Sequence, residues 1–260
     1  MRWIRAVILA FSTYTRIPVP QVKWDDDAMR LAIAFLPLVG AAIGGAVWVW
    51  QALCGFFGIS AVLFAAAAFA IPIWVTGGIH MDGYCDTSDA LASWQSIERR
   101  LEILKDPNAG AFAVIRFGVY VLVGFALLYE LRERGCDSGI GFVYVLSRCL
   151  AARSAMTMPN ARKDGMLVAF TGKTDRKKAR AALALLSAGG AAGWVYTTFP
   201  FGLFGLAFCL PVTLWYQGMA KKRFGGATGD TTGYYLQTVE LTLLAGSLIG
   251  GFVLTWLNFS

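Results

Sequence analysis

The sequence has few charged residues for its length, and it contains a single histidine. Of its 260 residues, 15% are charged and 57% are hydrophobic, whereas about 25% of the residues in soluble domains are charged. Several apolar runs reach about 20 residues, the length that crosses the hydrocarbon core of a bilayer as a helix. The shortage of charge therefore argues against an ordinary soluble domain and predicts an integral membrane protein.

Cysteine pairs, a small-residue cleavage site near the start and an interdomain linker are also not apparent in the sequence. The five cysteines are scattered, without a CxxC pair or a neighbouring histidine, which excludes a zinc cluster and favours reduced packing residues. Residues 1–30 are basic and then apolar but lack a small-residue cleavage site, so we expect a retained cytoplasmic or interfacial segment. No linker divides the chain, and residues 1–260 are predicted to form one integral membrane domain.

The apolar runs predict an all-α, polytopic membrane helix bundle of about seven transmembrane spans. Pro200 divides one long apolar stretch into two spans, because proline ends the helix that precedes it. Gly40 and Gly44 have the GxxxG spacing that lets helix backbones approach closely. The predicted spans are residues 31–57, 59–79, 109–131, 139–158, 181–198, 200–219 and 236–257.

The distribution of basic residues predicts the orientation of the bundle. With a cytoplasmic N-terminus, four cytoplasmic segments hold 18 of the 23 lysines and arginines, as the positive-inside rule requires. Basic loops beside membrane helices can produce the net charge of +7 without any nucleic-acid partner. We therefore predict the lipid bilayer, and no nucleic acid, as the partner of this basic chain.

The stretch "GGIHMDGYCDTSDAL", residues 77–91, follows the second predicted span. Its aspartates, Asp82, Asp86 and Asp89, recur at i, i+4 and i+7, which places three carboxylates within about 60° on one helical face. A divalent cation would offset their mutual repulsion, and an all-oxygen ligand set favours Mg²⁺, which in turn indicates phosphate chemistry. The alternative is that the acids only solvate the end of the span.

The residues beside the acids have two interpretations each. His80 is a candidate general acid or base, but a histidine at a membrane edge is also typical of an interfacial residue. Gly78 and Gly83 are candidates for close approach of a ligand to the backbone, although a glycine such as Gly78 also suits a helix end.

Basic residues supply candidate phosphate ligands downstream. A short helix is predicted between Ser96, its N-cap, and Asp106, which precedes a proline and is itself a candidate for the substrate site. Arg99, Arg100 and Lys105 on this helix suit either phosphate contacts or snorkelling toward lipid headgroups.

Other candidates lie farther along the chain. Three arginines fall inside predicted spans, where they are either functional or paired internally: Arg116, Arg148 and Arg153. The last cytoplasmic loop, "KKRFGGATGDTTGYY", combines Arg223, Thr228 and Asp230 around a glycine-rich turn. This combination is typical of a phosphate-binding backbone nest, but it lacks the P-loop pattern.

These motifs, in this order and spacing, resemble the cobalamin synthase (CobS) family nearly from end to end. The segments that carry the resemblance are "FSTYTRIPVP", "FLPLVGAAIG", "GGIHMDGYCDTSDAL", "ERRLEILKDPNAGAF" and "RFGGATGDTTGYYLQTVEL". The central family pattern is close to GGLHxDGxxDTxDG, so its acids correspond to Asp82, Asp86 and Asp89, and His80 also matches. Its final glycine is Ala90 here.

The resemblance implies an activity that the residue pattern alone does not reach. It implies transfer of the cobinamide-phosphate moiety of adenosylcobinamide-GDP to the ribose hydroxyl of α-ribazole or α-ribazole 5′-phosphate, with release of GMP and a requirement for Mg²⁺. It also implies a multi-pass protein of the bacterial inner membrane with a cytoplasmic active site. Contacts with other cobalamin-pathway enzymes and a homo-oligomer are left open.

On this hypothesis Asp82, Asp86 and Asp89 hold Mg²⁺ on the diphosphate, and Asp89 or Asp230 accepts the proton of the attacking hydroxyl. Basic residues offset the negative charge of the phosphates. The candidates for this role are Arg100, Lys105, Arg153 and Arg223.

Three rival functions are kept beside this one. A CDP-alcohol phosphotransferase also uses spaced aspartates at the end of a membrane helix, but its expected DxxDGxxAR pattern is missing. A cation transporter would hold acids near the middle of the membrane, whereas these cluster at one edge. A membrane scaffold for other enzymes would use the basic loops to bind its partners.

Overall fold

The structure is a computed structural model that describes residues 2–24, 26–171 and 176–259. Within these ranges the chain forms helices and loops, with one isolated backbone bridge between Asn160 and Ala227. Residues 1, 25 and 260 of the predicted domain, and residues 172–175 of the predicted basic loop, lie outside the described residues. The α-helices are α1 Arg2–Tyr14, α2 Asp26–Ala32, α3 Leu36–Phe57, α4 Ala61–Thr76, α5 Ile79–Ala92, α6 Ile97–Ile103, α7 Ala111–Glu133, α8 Ile140–Thr157, α9 Met166–Thr171, α10 Arg176–Thr198, α11 Gly202–Phe224 and α12 Gly229–Phe259.

The all-α membrane bundle predicted from the sequence is confirmed, and each of the seven predicted spans coincides with a helix. Among the described residues, four helices are long and apolar enough to cross a membrane, and α4 with α5 adds a fifth if that bent pair is one span. Helix α8 falls outside this set because Arg148 and Arg153 interrupt its apolar sequence. The number of seven spans and the cytoplasmic N-terminus stay predictions.

Glycines let the long helices pack backbone against backbone. A side chain at Gly40 or Gly44 of α3 would overlap the carbonyl groups of Tyr144 and Gly141 in α8, which confirms the close approach that the GxxxG spacing predicts. The predicted turn at Pro200 is also confirmed, since α10 ends just before it and α11 begins just after it.

Arg148 is accounted for by internal pairing. Its side chain is buried and forms an ion pair with the carboxylate of Glu240 in α12. Ser147 contributes a hydroxyl to the same network, accepting a hydrogen bond from Arg148 at 2.9 Å. A buried arginine requires such a partner, so this residue holds α8 and α12 together.

The bend between α4 and α5 positions the acidic helix. The two helix axes meet at 94°, and the corner is made by Gly77 and Gly78, whose φ angles of +66° and +84° are left-handed. Glycine adopts this conformation without the steric cost that a side chain adds. If α4 runs across the bilayer, α5 therefore lies across the end of the bundle, outside the membrane-spanning segments.

Candidate active site

Two of the predicted acids are left free on the outer face of α5. Asp82 is exposed and Asp86 is half-buried, and neither side chain accepts a hydrogen bond from the described part of the chain. The four-residue spacing holds them one turn apart on the same face. Their oxygens are available to a ligand.

Asp89, the third acid of the predicted trio, is already engaged. One of its oxygens accepts a hydrogen bond from the backbone N–H of Gly110, and the other accepts one from Ala113 at 2.9 Å. These N–H groups belong to the start of α7, where a helix has unsatisfied donors and a partial positive charge. Asp89 thus caps α7 from a neighbouring helix.

Asp230, and not Asp89, is the third acid that lies beside Asp82 and Asp86. It lies in the first turn of α12, which packs against α5 at a glycine: a side chain at Gly83 would come within 2.9 Å of the Cα of Asp230. Gly233, one turn farther along α12, is similarly close to the backbone of His80. The absence of side chains at these contacts is what brings Asp230 to the acidic face.

The start of α12 is fixed by its own cap and by a distant arginine. The Thr228 hydroxyl accepts a hydrogen bond from the N–H of Thr231 at 3.1 Å and donates to Asp230 at 3.4 Å. Arg162 approaches Asp230 at 3.8 Å and donates to the carbonyl of Leu101 at 2.8 Å. It connects Asp230 to the α6 region.

Burial and the neighbouring acids raise the proton affinity of Asp86. The pKa of Asp86 is raised to about 7 by burial and then by the charges of Asp82, Asp230 and Asp89. Such a shift means that a nearby cation would be stabilising.

The carboxylates fit Mg²⁺ only when the substrate contributes ligands. In the described residues no three His, Cys, Asp or Glu side chains are arranged to hold a metal by themselves. Mg²⁺ commonly takes one or two carboxylates together with substrate phosphates and water. Asp82, Asp86 and Asp230 suit that mode of binding.

His80 and Gly78 lie beside the acids at the start of α5, and Gly78 lines a cavity of about 750 Å³ together with Asp82. His80 is buried, its ring stacks on Tyr14 with centroids 5.8 Å apart, and its Nε2 has no hydrogen-bond partner among the described residues. Gly78 supplies the left-handed corner, and a side chain there would meet open space. Its conformation alone explains the glycine, and the catalytic role of His80 stays a prediction.

The predicted phosphate-binding residues are divided between several places. Arg100 is buried and donates to the carbonyl of Arg223 at 3.2 Å, at the end of α11. Arg99 pairs with Glu102 at 2.7 Å on the exposed side of α6, whose N-cap Ser96 is as predicted. Lys105 is exposed.

Two further predicted residues make contacts that do not involve Asp82, Asp86 or Asp230. Asp106 accepts hydrogen bonds from the backbone and side chain of Asn108, both at 2.9 Å. Arg153 lines a separate cavity of about 510 Å³ with Arg180 and Ser187. Arg162, in contrast, lies 3.8 Å from Asp230 but was not among the predicted site residues, because only its membership of a basic loop marked it in the sequence.

Comparisons with known proteins identify the family of the chain. The family model described as "CobS: Cobalamin-5-phosphate synthase" matches residues 6–248. A protein of Lachnoclostridium phytofermentans named adenosylcobinamide-GDP ribazoletransferase is 38% identical over 241 residues, covering 93% of this chain and 92% of the relative.

Two other relatives carry the same name. The protein of Pseudomonas entomophila is 32% identical, covering 92% of this chain and 96% of the relative. That of Acinetobacter baumannii is 31% identical, covering 95% and 98%. No solved structure matches the chain. The match over nearly the full length shows that this chain belongs to the CobS family of cobalamin-5-phosphate synthases.

Proposed function

We propose that this protein is an adenosylcobinamide-GDP ribazoletransferase, a transferase of cobalamin biosynthesis. Its substrates are adenosylcobinamide-GDP and α-ribazole or α-ribazole 5′-phosphate, and its products are the joined cobalamin or cobalamin 5′-phosphate and GMP. One observation supports this most strongly in a chain of this family: free Asp82 and Asp86 face Asp230 across Gly83 on one accessible surface.

Asp82 and Asp86 are the residues proposed to hold Mg²⁺ together with the diphosphate, and Asp230 completes the acidic surface. When bound, Mg²⁺ supplies charge neutralisation and Lewis-acid polarisation at the phosphates. The side chains orient the diphosphate so that the phosphorus on the cobinamide side faces the ribose hydroxyl.

The proton of the attacking hydroxyl passes to a carboxylate of the chain. Asp230 is the better candidate, because both oxygens of Asp89 are occupied by N–H groups of α7. A new bond forms between the ribose oxygen and the cobinamide-side phosphorus, and the bond from that phosphorus to the bridging oxygen breaks. GMP leaves with the bridging oxygen.

The proposed site faces the cytoplasm of a bacterial cell with the protein in the inner membrane. The basic loops support this orientation, since α11 ends in Lys221, Lys222 and Arg223, just before the loop that leads to Asp230 at the start of α12. The nucleotide substrate then reaches the acids from the aqueous side. Contacts with other enzymes of the pathway and self-association are compatible with this arrangement.

The activity is tested by measuring GMP release with the full-length protein in nanodiscs. Purified protein is mixed with adenosylcobinamide-GDP, α-ribazole and Mg²⁺, and GMP and the corrinoid product are quantified by chromatography. Product must form in a one-to-one ratio with GMP and must be lost when EDTA removes Mg²⁺. Hydrolysis to GMP without the joined corrinoid would contradict the proposed transfer.

A further inference from the structure

A second polar feature lies on the other side of α5 from the acids. A groove of about 530 Å³ is formed by residues of α5, α7, α11 and α12 and by the segment after α5. Leu91 of α5 lines the groove. It follows Asp82 by nine positions, which places the two side chains about 180° apart around the helix. The groove is therefore distinct from the acidic surface.

Three cations stand in the wall of this groove: Arg116, Lys222 and Arg223. None of them has a carboxylate partner among the described residues, and no acidic side chain of those residues lines the groove. Arg116 lies inside a helix apolar enough to cross a membrane. A cation at such a position normally faces a partner or a wet cavity. Because these three cations have no carboxylate partner among the described residues, an anion would be stabilised in the groove.

Large aromatic residues accompany the cations. Trp94 is 84% exposed and Trp215 is 49% exposed. Both line the groove together with Tyr234. The Tyr234 ring stacks on Tyr84, with the ring centroids 5.1 Å apart. Trp94 has a left-handed φ of 54°, which is unfavourable for a bulky residue. Tryptophan and tyrosine favour the level of lipid headgroups.

The position of the groove indicates what fills it. The flanking helices α7 and α11 are the least buried of the four span candidates: 22% of the residues in their apolar stretches are buried, against 50% in the other two helices. Arg116 lies about one and a half turns into α7, and Lys222 is in the last turn of α11. The cations are thus at one end of lipid-facing helices, and Leu214 and Gly218 extend the groove toward the apolar side.

We propose that this groove binds an anionic phospholipid, with the phosphate held by Arg116, Lys222 and Arg223 and an acyl chain along Leu214 and Gly218. A soluble anion would satisfy the charges but leave the tryptophans and the apolar extension exposed. A zwitterionic lipid would leave the three cations without a net counter-charge. The proposal does not depend on the enzymatic activity proposed above.

The proposal is tested on the full-length protein in neutral detergent by native mass spectrometry with added phosphatidylglycerol or phosphatidylcholine. The wild-type protein is expected to retain phosphatidylglycerol preferentially. The Arg116→Gln/Lys222→Gln variant should weaken that binding about 30-fold, because it removes two cations that attract the anionic lipid. The matched variant Lys163→Gln/Lys177→Gln removes the same charge from exposed positions outside the groove and should keep the preference.

A photoactivatable phosphatidylglycerol locates the site without any substitution. Cross-links are expected on α11 around Leu214 and Gly218, so the proposal is testable even if the double variant misfolds. Equal binding of the two lipids by the wild type, undiminished binding by the folded groove variant, or cross-links confined to other helices would overturn it. Displacement of the lipid by excess GDP would assign the groove to a soluble phosphate ligand instead. GMP release is a separate readout, so either proposal can fail alone.

Discussion

Asp86 and Asp89 belong to the same helix, the same motif and the same predicted trio, yet the structure gives them different surroundings. Asp89 has both oxygens bound to backbone N–H groups of α7. Asp86 accepts no hydrogen bond from the described residues, and burial and nearby acids raise its pKa to about 7. One carboxylate is satisfied by the fold, and the other needs a cation or a proton. The difference teaches that equal spacing along a helix does not mean equal roles.

The largest effect is expected from Asp82→Asn. Loss of one free carboxylate should reduce the rate of GMP release about 100- to 1,000-fold, because the site loses one of the two carboxylates proposed to hold Mg²⁺ on the diphosphate. The thermal midpoint should be maintained, since Asp82 makes no hydrogen bond with the described residues. Asp164→Asn, an equal change at an exposed loop position, is the control and should retain the wild-type rate. Near-normal turnover by Asp82→Asn would contradict the proposed site.

Gly83→Ala tests whether Asp230 belongs with the free acids. The added methyl group would lie 2.9 Å from the Cα of Asp230, so α12 must move away from α5. We expect turnover to fall by roughly 10- to 100-fold through displacement of Asp230. Gly45→Ala, where a side chain would meet open space, is the matched control. If Gly83→Ala turns over substrate at the wild-type rate, Asp230 is not required at its present position.

Asp89→Ala should mainly lower stability, whereas Asp82→Ala should mainly lower turnover. Removing the cap of α7 should lower the free energy of unfolding by about 1–2 kcal/mol, with turnover at low temperature falling less than about tenfold. Asp82→Ala should leave stability unchanged or raise it, because it removes repulsion between acids. Thermal unfolding in detergent and GMP release at 20 °C, roughly 30 °C below typical midpoints for mesophilic domains, separate the two outcomes. An inactive but fully stable Asp89→Ala protein would restore Asp89 as a metal ligand.

Arg162→Gln should have the smallest effect. Its contact with Asp230 spans 3.8 Å and is partly exposed, and such pairs contribute less than about 1 kcal/mol. We expect turnover to fall about fivefold or less, and Arg162→Lys should recover most of the loss. A loss as large as that of Asp82→Asn would mean that Arg162 contacts the substrate directly.

Local features of the fold were predictable from the sequence. The helical acids, the Ser96 cap, the turn at Pro200 and the close approach at Gly40 depend on residues near one another in the chain or on helix periodicity. The bend at Gly77 and Gly78 was recognisable only as a helix end. Its angle depends on how α5 packs against α7 and α12, which no local pattern encodes.

Contacts between residues far apart in the sequence explain why the roles of several charged residues could not be predicted. Spacing alone could not reveal that Asp89 reaches the start of α7, or that Glu240 pairs with Arg148. Arg100 illustrates the same limit: its neighbours predict a surface residue, whereas the end of α11 covers it. In each case the partner is far away in sequence, and several charged residues were equally eligible.

The right-angled bend at Gly77 and Gly78 also bears on which parts of this protein contact water and which contact lipid. If α4 runs across the bilayer, α5 lies across the end of the bundle and presents Asp82 and Asp86 at the surface that faces water. Water-soluble reactants can then meet at the surface without entering hydrocarbon. The bend at Gly77 and Gly78 would then set the position of Asp82 and Asp86 relative to the bilayer.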